Sequence, residues 1–366
     1  MSNVKILSIK KIKNQKRREI TAMSYKLSKQ ETAQLFEKLA EKYDIYAPKC
    51  FKNHGRFSET DIIRYDKITS LDEVVWDKKS DYPMKEVLSP IQQAIFYFTE
   101  DEFRASKGKT RPMLIFARPC DINAMKVQAR IYAGNGGFVD MYYERMRELA
   151  KYILMPCNGG DDTCFCVSMG TNETGDYSIA VKPTEDGMFF EVKDEDLAAY
   201  FADAAGADFA PEFVQENELE ALIPEIPDRE VLNALKKHDV WKQFNGRCIS
   251  CGACTIACST CTCFTTRDII YGDNPEVGER RRVAASCQID DFAKVAGGGD
   301  YRTTAGDRMR YKMLHKFHDY EARFHEGHMC VGCGRCTSRC PEFISITTTL
   351  QKMNAAVEEI KKELGK

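Results

Sequence analysis

The sequence predicts an α+β protein in which a mixed α/β domain is followed by a mostly helical one. Three observations predict it. Helical and strand periodicities alternate from about Met23 to Glu230, strand signals become scarce beyond that point, and a stretch carrying Pro211, Pro224 and Pro227 separates the two regimes. A chain of 366 residues is long enough for two to three domains, each with its own core. The expected division is a basic extension at 1–22, the α/β domain at 23–228 and the helical domain at 229–366.

The first 22 residues are basic and polar, with no periodic pattern, and read as a loose, solvated tail. Gln30–Tyr43 then places Leu35, Phe36, Leu39, Ala40 and Tyr43 at helical spacing. Strands are expected at Met113–Ala117 and Tyr152–Met155, and a hairpin at Tyr177–Val181 with Phe189–Val192, turning through Glu185-Asp186-Gly187. Helices are expected at Asp121–Arg130, Met141–Lys151 and Asp194–Ala204. Residues 205–228 read as a connector, after which Arg229–Phe244, Arg308–Glu321 and Thr347–Leu364 carry helical patterns.

Charge is nearly balanced, 53 Lys+Arg against 55 Asp+Glu, so nothing global argues for a nucleic-acid partner. No apolar run is long enough to span a bilayer, and the start lacks the apolar core of a secretory signal; a cytoplasmic location is expected, with no membrane partner. Sixteen cysteines are the outstanding feature, seven of them within Cys248–Cys287 and four within Cys330–Cys340. In a reducing compartment, clustered cysteines bind metal more often than they form disulfides.

Their spacing is informative. Cys248-x2-Cys251-x2-Cys254-x3-Cys258 is repeated as Cys330-x2-Cys333-x2-Cys336-x3-Cys340-Pro341. Three cysteines at this spacing let one tight loop offer a thiolate to three irons of a cubane, while the fourth ligates the other cluster of a pair. Cys248, Cys251, Cys254 and Cys340 are therefore assigned to one [4Fe–4S] cluster, and Cys258, Cys330, Cys333 and Cys336 to a second. Structural zinc needs four ligands in CxxC pairs, and the third cysteine of each motif would be superfluous. Gly252, Gly332 and Gly334 suit loops that turn backbone N–H groups toward sulfide. Ser259 follows Cys258 where the ferredoxin pattern has proline, a departure expected to matter little because that proline shapes a turn and binds no iron. Seventy-one residues separate Cys258 from Cys330, which favours a helical ferredoxin scaffold over the compact β-rich one.

Cys120, Cys157, Cys164 and Cys166 each sit where a strand is expected to end, and four thiols are the number a third [4Fe–4S] cluster needs. Inert buried thiols and a zinc site remain alternatives. Cys261, Cys263 and Cys287 either tune a neighbouring cluster or fill core space, and Cys50 stands alone. Arg280-Arg281-Arg282 and the Arg308, Arg310, Lys312, Lys316 series read either as a docking face or, residue by residue, as a solvated surface. His325 and His328 lie near Cys330 but are expected to be bystanders. The glycines around Gly134–Gly137 and Gly297–Gly299 lack the spacing of a dinucleotide loop, and no flavin, nicotinamide or siroheme site is read in this chain. Catalytic residues are not expected either.

Six segments taken together resemble the A subunit of anaerobic sulfite reductase: FARPCDINAM at Phe116–Met125, CFCVSMGTN at Cys164–Asn172, RCISCGACT at Arg247–Thr255, TCTCF at Thr260–Phe264, GERRR at Gly278–Arg282 and MCVGCGRC at Met329–Cys336. The resemblance runs from about Met23 to the C-terminus. It implies an iron–sulfur relay in a hetero-oligomer, between a flavin- and NADH-binding subunit and a siroheme subunit that reduces sulfite to sulfide. Less closely, the chain resembles the β subunit of cytoplasmic sulfhydrogenases, whose N-terminal cysteines add weight to the third cluster. That implies the alternative function, an electron carrier of a hydrogenase.

Overall fold

The computed structural model describes residues 22–157 and 159–366, so all but the last residue of the expected basic extension lies outside the described residues. The first part of the chain runs β1 (Met23–Ser28), α1 (Lys29–Lys42), β2 (Asp44–Phe51), β3 (Ile62–Lys67), α2 (Lys85–Leu88), β4 (Gln92–Phe98), β5 (Phe103–Ala105), β6 (Met113–Ala117), α3 (Pro119–Gly134), α4 (Met141–Glu148), β7 (Ala150–Leu154), β8 (Ile179–Pro183), β9 (Gly187–Val192) and α5 (Glu195–Ala198). After the connector come α6 (Arg229–Lys237), α7 (Ala253–Ile256), β10 (Phe264–Ile270), β11 (Gly278–Ala284), α8 (Ala305–Leu314), α9 (Tyr320–Phe324), α10 (Arg335–Ser338) and α11 (Ile346–Leu364).

Seven strands form one sheet in the order β1-β9-β8-β7-β6-β2-β3. Its centre, β8-β7-β6-β2, is parallel, and antiparallel strands close both edges. Central parallel strands are covered on both faces, which is why β6, MLIFA, is apolar throughout and wholly buried. On one face α1 starts at a capping box of Ser28 and Glu31 and sinks Leu35, Phe36 and Leu39 among Tyr25, Ile45, Leu114 and Phe190. On the other, α3 and α4 pack Ile122, Met125, Tyr143 and Met146 against Met113, Ile115 and Leu154, and Val331 and Cys333 of the second cysteine motif join this core.

A third core brings together α6, α8 and α11 through Val231, Leu235, Met313, Leu350 and Val357, with Trp241, Phe244 and Phe317. The second half is less helical than expected. It carries the β10–β11 hairpin, and β11 pairs with β4, giving a four-stranded sheet, β10-β11-β4-β5, drawn from both sides of residues 205–228. The strands escape a reading by hydrophobicity because they read FTTRDII and GERRRVA: cross-strand pairs such as Arg280 with Asp268 stabilise them in place of an apolar face. Residues 205–228 hold no helix or strand of their own.

Candidate metal centre

The local backbone explains how each motif wraps. Gly252 and Gly334, both with left-handed φ, immediately precede α7 and α10, so each motif makes a loop and then one short helical turn that carries its last cysteines away from the loop. The two short helices pack on each other. That contact crosses the motifs: Cys248, Cys251, Cys254 and Cys340 line one cleft, together with Cys336. Burial pushes the Cys248 thiol up, and Cys254, Cys251 and Cys340 add to the shift. Around the second set, burial raises Cys336 to about 11, with Cys258 and Cys333 contributing. Cys330 rises by burial and by proximity to Cys336 and Cys258, opposed by Lys316 and by the Gly332 N–H, which reaches its sulfur at 3.4 Å. Among the described residues no three cysteine, histidine or carboxylate side chains close on a point that would hold a single ion; the thiols stand around clefts.

Two lysines supply the electrostatic counterpart. Arg308, Lys312 and Lys316 fall on one face at i, i+4 and i+8, along α8 and the π-helical turn His315–Asp319 that continues it, and all three are buried, Lys312 and Lys316 with only 3% of their surface exposed. Among the described residues neither of these two lysines has a carboxylate within ion-pair distance. Burial alone would neutralise them, yet Cys254, Cys336 and Cys261 around Lys312, and Cys258, Cys261 and Cys330 around Lys316, hold both amines protonated. The expectation of a solvated basic face is corrected here: the face that carries these side chains points at the cysteines because Met309, Met313 and Phe317 lie beside it in the core. A buried ammonium needs a buried anion, and a cubane ligated by four thiolates is a multiply charged one.

The four cysteines of the first half also come together. β6 and β7 are parallel neighbours, so Cys120, at the first turn of α3, and Cys157 leave the same edge of the sheet, the carboxyl edge where α/β folds place ligands. Arg118, buried, ties these exits together by donating to Pro156 O, Trp76 O and Lys78 O at 3.2, 3.0 and 2.8 Å. Burial lifts Cys166 to about 11, with Cys164 and Cys157 adding to it, and lifts Cys120, which senses Cys166 and Cys333. The largely buried Lys79 reaches Cys164 Sγ at 3.3 Å and Cys333 O at 2.8 Å; burial opposes its charge, but Cys164 and Cys333 raise its pKa. Asn217 accepts from Val167 N and from Cys166 Sγ, while its Nδ2, buried beside Gly160, has no hydrogen-bond partner among the described residues. A donor left in this position fits a sulfide or thiolate acceptor.

This site abuts the second motif. Phe165 N donates to Gly332 O at 2.8 Å, and at Gly332, φ +62°, an added Cβ would meet Phe165 O at 2.5 Å. Gly334 is pressed equally hard against Thr163. These two glycines are therefore required by close approach as well as by loop conformation.

Sequence reasoning missed the polar link between the two halves. Arg335, wholly buried, grips Asp121 with two bonds of 2.7 and 2.8 Å and donates to Ser80 O, Ser80 Oγ and Ser259 Oγ. Ser259 in turn sits 3.5 Å from Cys333 Sγ. The only signal available was the serine itself, in a position where the motif has proline.

Other expectations resolve simply. Arg280 and Arg281 are engaged by Asp268 and Glu279, and Arg282 is buried on Asp140 and the Phe264 ring, so the triplet is structural and not a free basic face. His325 is exposed at a left-handed turn, and burial lowers the half-buried His328. Cys50 lies far along β2, 3.6 Å from Asp61. Cys261 touches Cys258, and Cys263 touches Cys287. Among the described residues no helix is long and apolar enough to cross a membrane.

Residues 247–344 match the family described as the 4Fe-4S dicluster domain, which supports two [4Fe–4S] clusters in the region holding both motifs. The chain is 29% identical over 352 residues to the sulfhydrogenase 2 subunit beta of Pyrococcus furiosus, an alignment covering 90% of this chain and 97% of that one. No solved structure matches the chain. The chain is thus similar, over nearly its whole length, to a subunit of a hydrogenase and contains a dicluster iron–sulfur region.

Proposed function

We propose that this chain is a cytoplasmic iron–sulfur electron-transfer subunit of a multisubunit oxidoreductase, with no substrate chemistry of its own. The observation that carries the reading is the placement of Lys312 and Lys316, buried with no carboxylate partner among the described residues and set beside Cys254, Cys336, Cys258 and Cys330 of the two motifs. Cys248, Cys251, Cys254 and Cys340 hold one [4Fe–4S] cluster, and Cys258, Cys330, Cys333 and Cys336 hold the other. Cys120, Cys157, Cys164 and Cys166 hold a third, against which Asn217 Nδ2 and Lys79 are poised. The clusters supply one-electron carriage. The protein's own part is to fix their spacing through the α7–α10 contact, to keep water from the inner thiols, and to offset cluster charge with buried ammonium groups.

The relative bears on the assembly. Similarity to a sulfhydrogenase β subunit supports a hydrogenase-type complex, with this chain as its electron carrier. The six segments that resemble the A subunit of anaerobic sulfite reductase support a second reading, in which the partners are a flavin- and NADH-binding subunit and a siroheme subunit. Anaerobic co-purification of the native complex separates them: nickel supports the first, a siroheme spectrum the second, and a chain recovered alone without iron contradicts both. Iron analysis of the same sample tests the third site, with about twelve irons per chain expected and about eight removing it.

A further inference from the structure

The four-stranded sheet β10-β11-β4-β5 lends no ligand to the three cluster sites, and the end at which its two hairpin turns lie carries exposed apolar side chains. The register decides which of them share a face. Phe98 pairs with Phe103 on one side and with Gly278 on the other, and Gly278 pairs with Ile270, so these residues form one row across the sheet. Phe96, two residues before Phe98, lies in the next row on the same face. The three rings group together, Phe96 and Phe98 with centroids 6.4 Å apart and Phe96 and Phe103 5.8 Å apart. An added Cβ at Gly278 would meet Phe98 Cζ at 3.0 Å, so the missing side chain makes room for that ring. Phe103 is 79% exposed and Ile270 40%.

Charge marks the same end. One turn carries Glu100, Asp101 and Glu102 and the other Asp273 and Glu276, all exposed. Asn274 donates to Glu100 at 2.6 Å and ties the two turns together. Among the described residues Glu102 pairs with Arg104 at 3.6 Å, and the other four carboxylates have no ion pair. An exposed aromatic cluster beside uncompensated carboxylates is apolar at its centre and charged at its rim, the anatomy of an interface.

We propose that this end of the sheet docks another subunit of the complex, one whose face offers an apolar pocket for Phe103 bordered by lysine or arginine. The charge selects the occupant. A second copy of this chain would set like carboxylates against each other in a symmetric contact, and nucleic acid or an anionic membrane would be repelled. β4 and β5 come from the first half of the chain and β10 and β11 from the second, so a subunit seated here is held by both. The proposal rests on the multisubunit reading of the chain.

The test uses the native complex, purified anaerobically with Phe103→p-benzoylphenylalanine in this chain, irradiated and mapped by peptide mass. The side chain of Phe103 is exposed, so neither this replacement nor Phe103→Ala opens a core. The expected product is a covalent adduct between position 103 and a peptide of another subunit. Phe103→Ala should raise the dissociation constant for that subunit about thirtyfold, and Glu100→Lys with Asp101→Lys should also raise it, while iron content and cluster EPR signals stay at parent levels. An adduct within this chain, whether to a second copy or to residues 1–21, overturns the proposal, as does no adduct, or a dissociation constant unchanged in either variant. A chain recovered with no other subunit defeats the multisubunit reading itself; other subunits present without the adduct defeat this proposal alone.

Discussion

The Ser259 hydroxyl stands 3.5 Å from the Cys333 sulfur and 3.3 Å from Asp121 Oδ1, while Arg335 donates to its oxygen at 3.0 Å. The hydroxyl has one proton for two acceptors, and Asp121 is already satisfied by the two bonds from Arg335. Donation to Cys333 therefore gains strength as charge on the neighbouring cluster rises, which favours the reduced form. Ser259→Ala should lower the potential of the cluster assigned to Cys333 by an amount on the order of tens of millivolts, with iron content unchanged. An EPR-monitored redox titration checks it.

Arg335 and Asp121 are a buried ion pair with essentially no solvent exposure. Removing one partner leaves the other charge uncompensated in the interior, at a cost of about 3–5 kcal/mol. Asp121→Ala should lower the urea midpoint by a corresponding amount. The double replacement, Asp121→Leu with Arg335→Met, should recover a substantial part of that loss, because no stranded charge remains.

Lys316 donates to Thr260 Oγ1 at 3.0 Å and lies among Cys258, Cys261 and Cys330. Lys316→Met keeps the length of the side chain and removes its charge. The cluster assigned to those ligands should become harder to reduce, its potential falling by an amount on the order of tens of millivolts. Arg310→Met, on the same stretch of chain but turned away to Lys236 O, should leave that potential unchanged in the same titration.

His315 stacks on Tyr311 at 5.3 Å, and burial, aided by Lys316, lowers its pKa to about 4. An unfolded histidine takes up its proton near pH 6.5, whereas this one refuses it until about pH 4. The unfolded state therefore binds more protons across that window, and the folded state loses stability as pH falls from 6.5 toward 4, by up to about 3 kcal/mol. Thermal unfolding of His315→Gln should show a flatter dependence over that range than the parent.

Much of the fold was legible where local pattern and tertiary burial agree. Met113–Ala117 reads as a strand and forms β6, and the Glu185-Asp186-Gly187 turn marks the β8–β9 hairpin. α11 follows an apolar stripe that the chain does bury. β10 and β11 were not legible, because a strand held by Arg–Asp pairs and by β4, almost two hundred residues earlier in the chain, carries no local signature. The same holds for the site. The cysteine spacings announce the two motifs, but a lysine on a helix reads as solvated until its neighbours are known. Lys312 and Lys316 are inside because the cysteines supply the anion that Asp and Glu would elsewhere, whereas Arg308 pairs with Asp290. Asn217, in a connector with no helix or strand, could be placed beside Cys166 only by the fold.

In the proposed arrangement the two motifs exchange their fourth cysteines. Cys258→Ser tests it most directly, read by EPR on the reduced holoprotein. The variant should alter the signal of the cluster assigned to Cys330, Cys333 and Cys336 and leave that of the Cys248 motif intact. A lesion confined to the Cys248 motif's signal would contradict it.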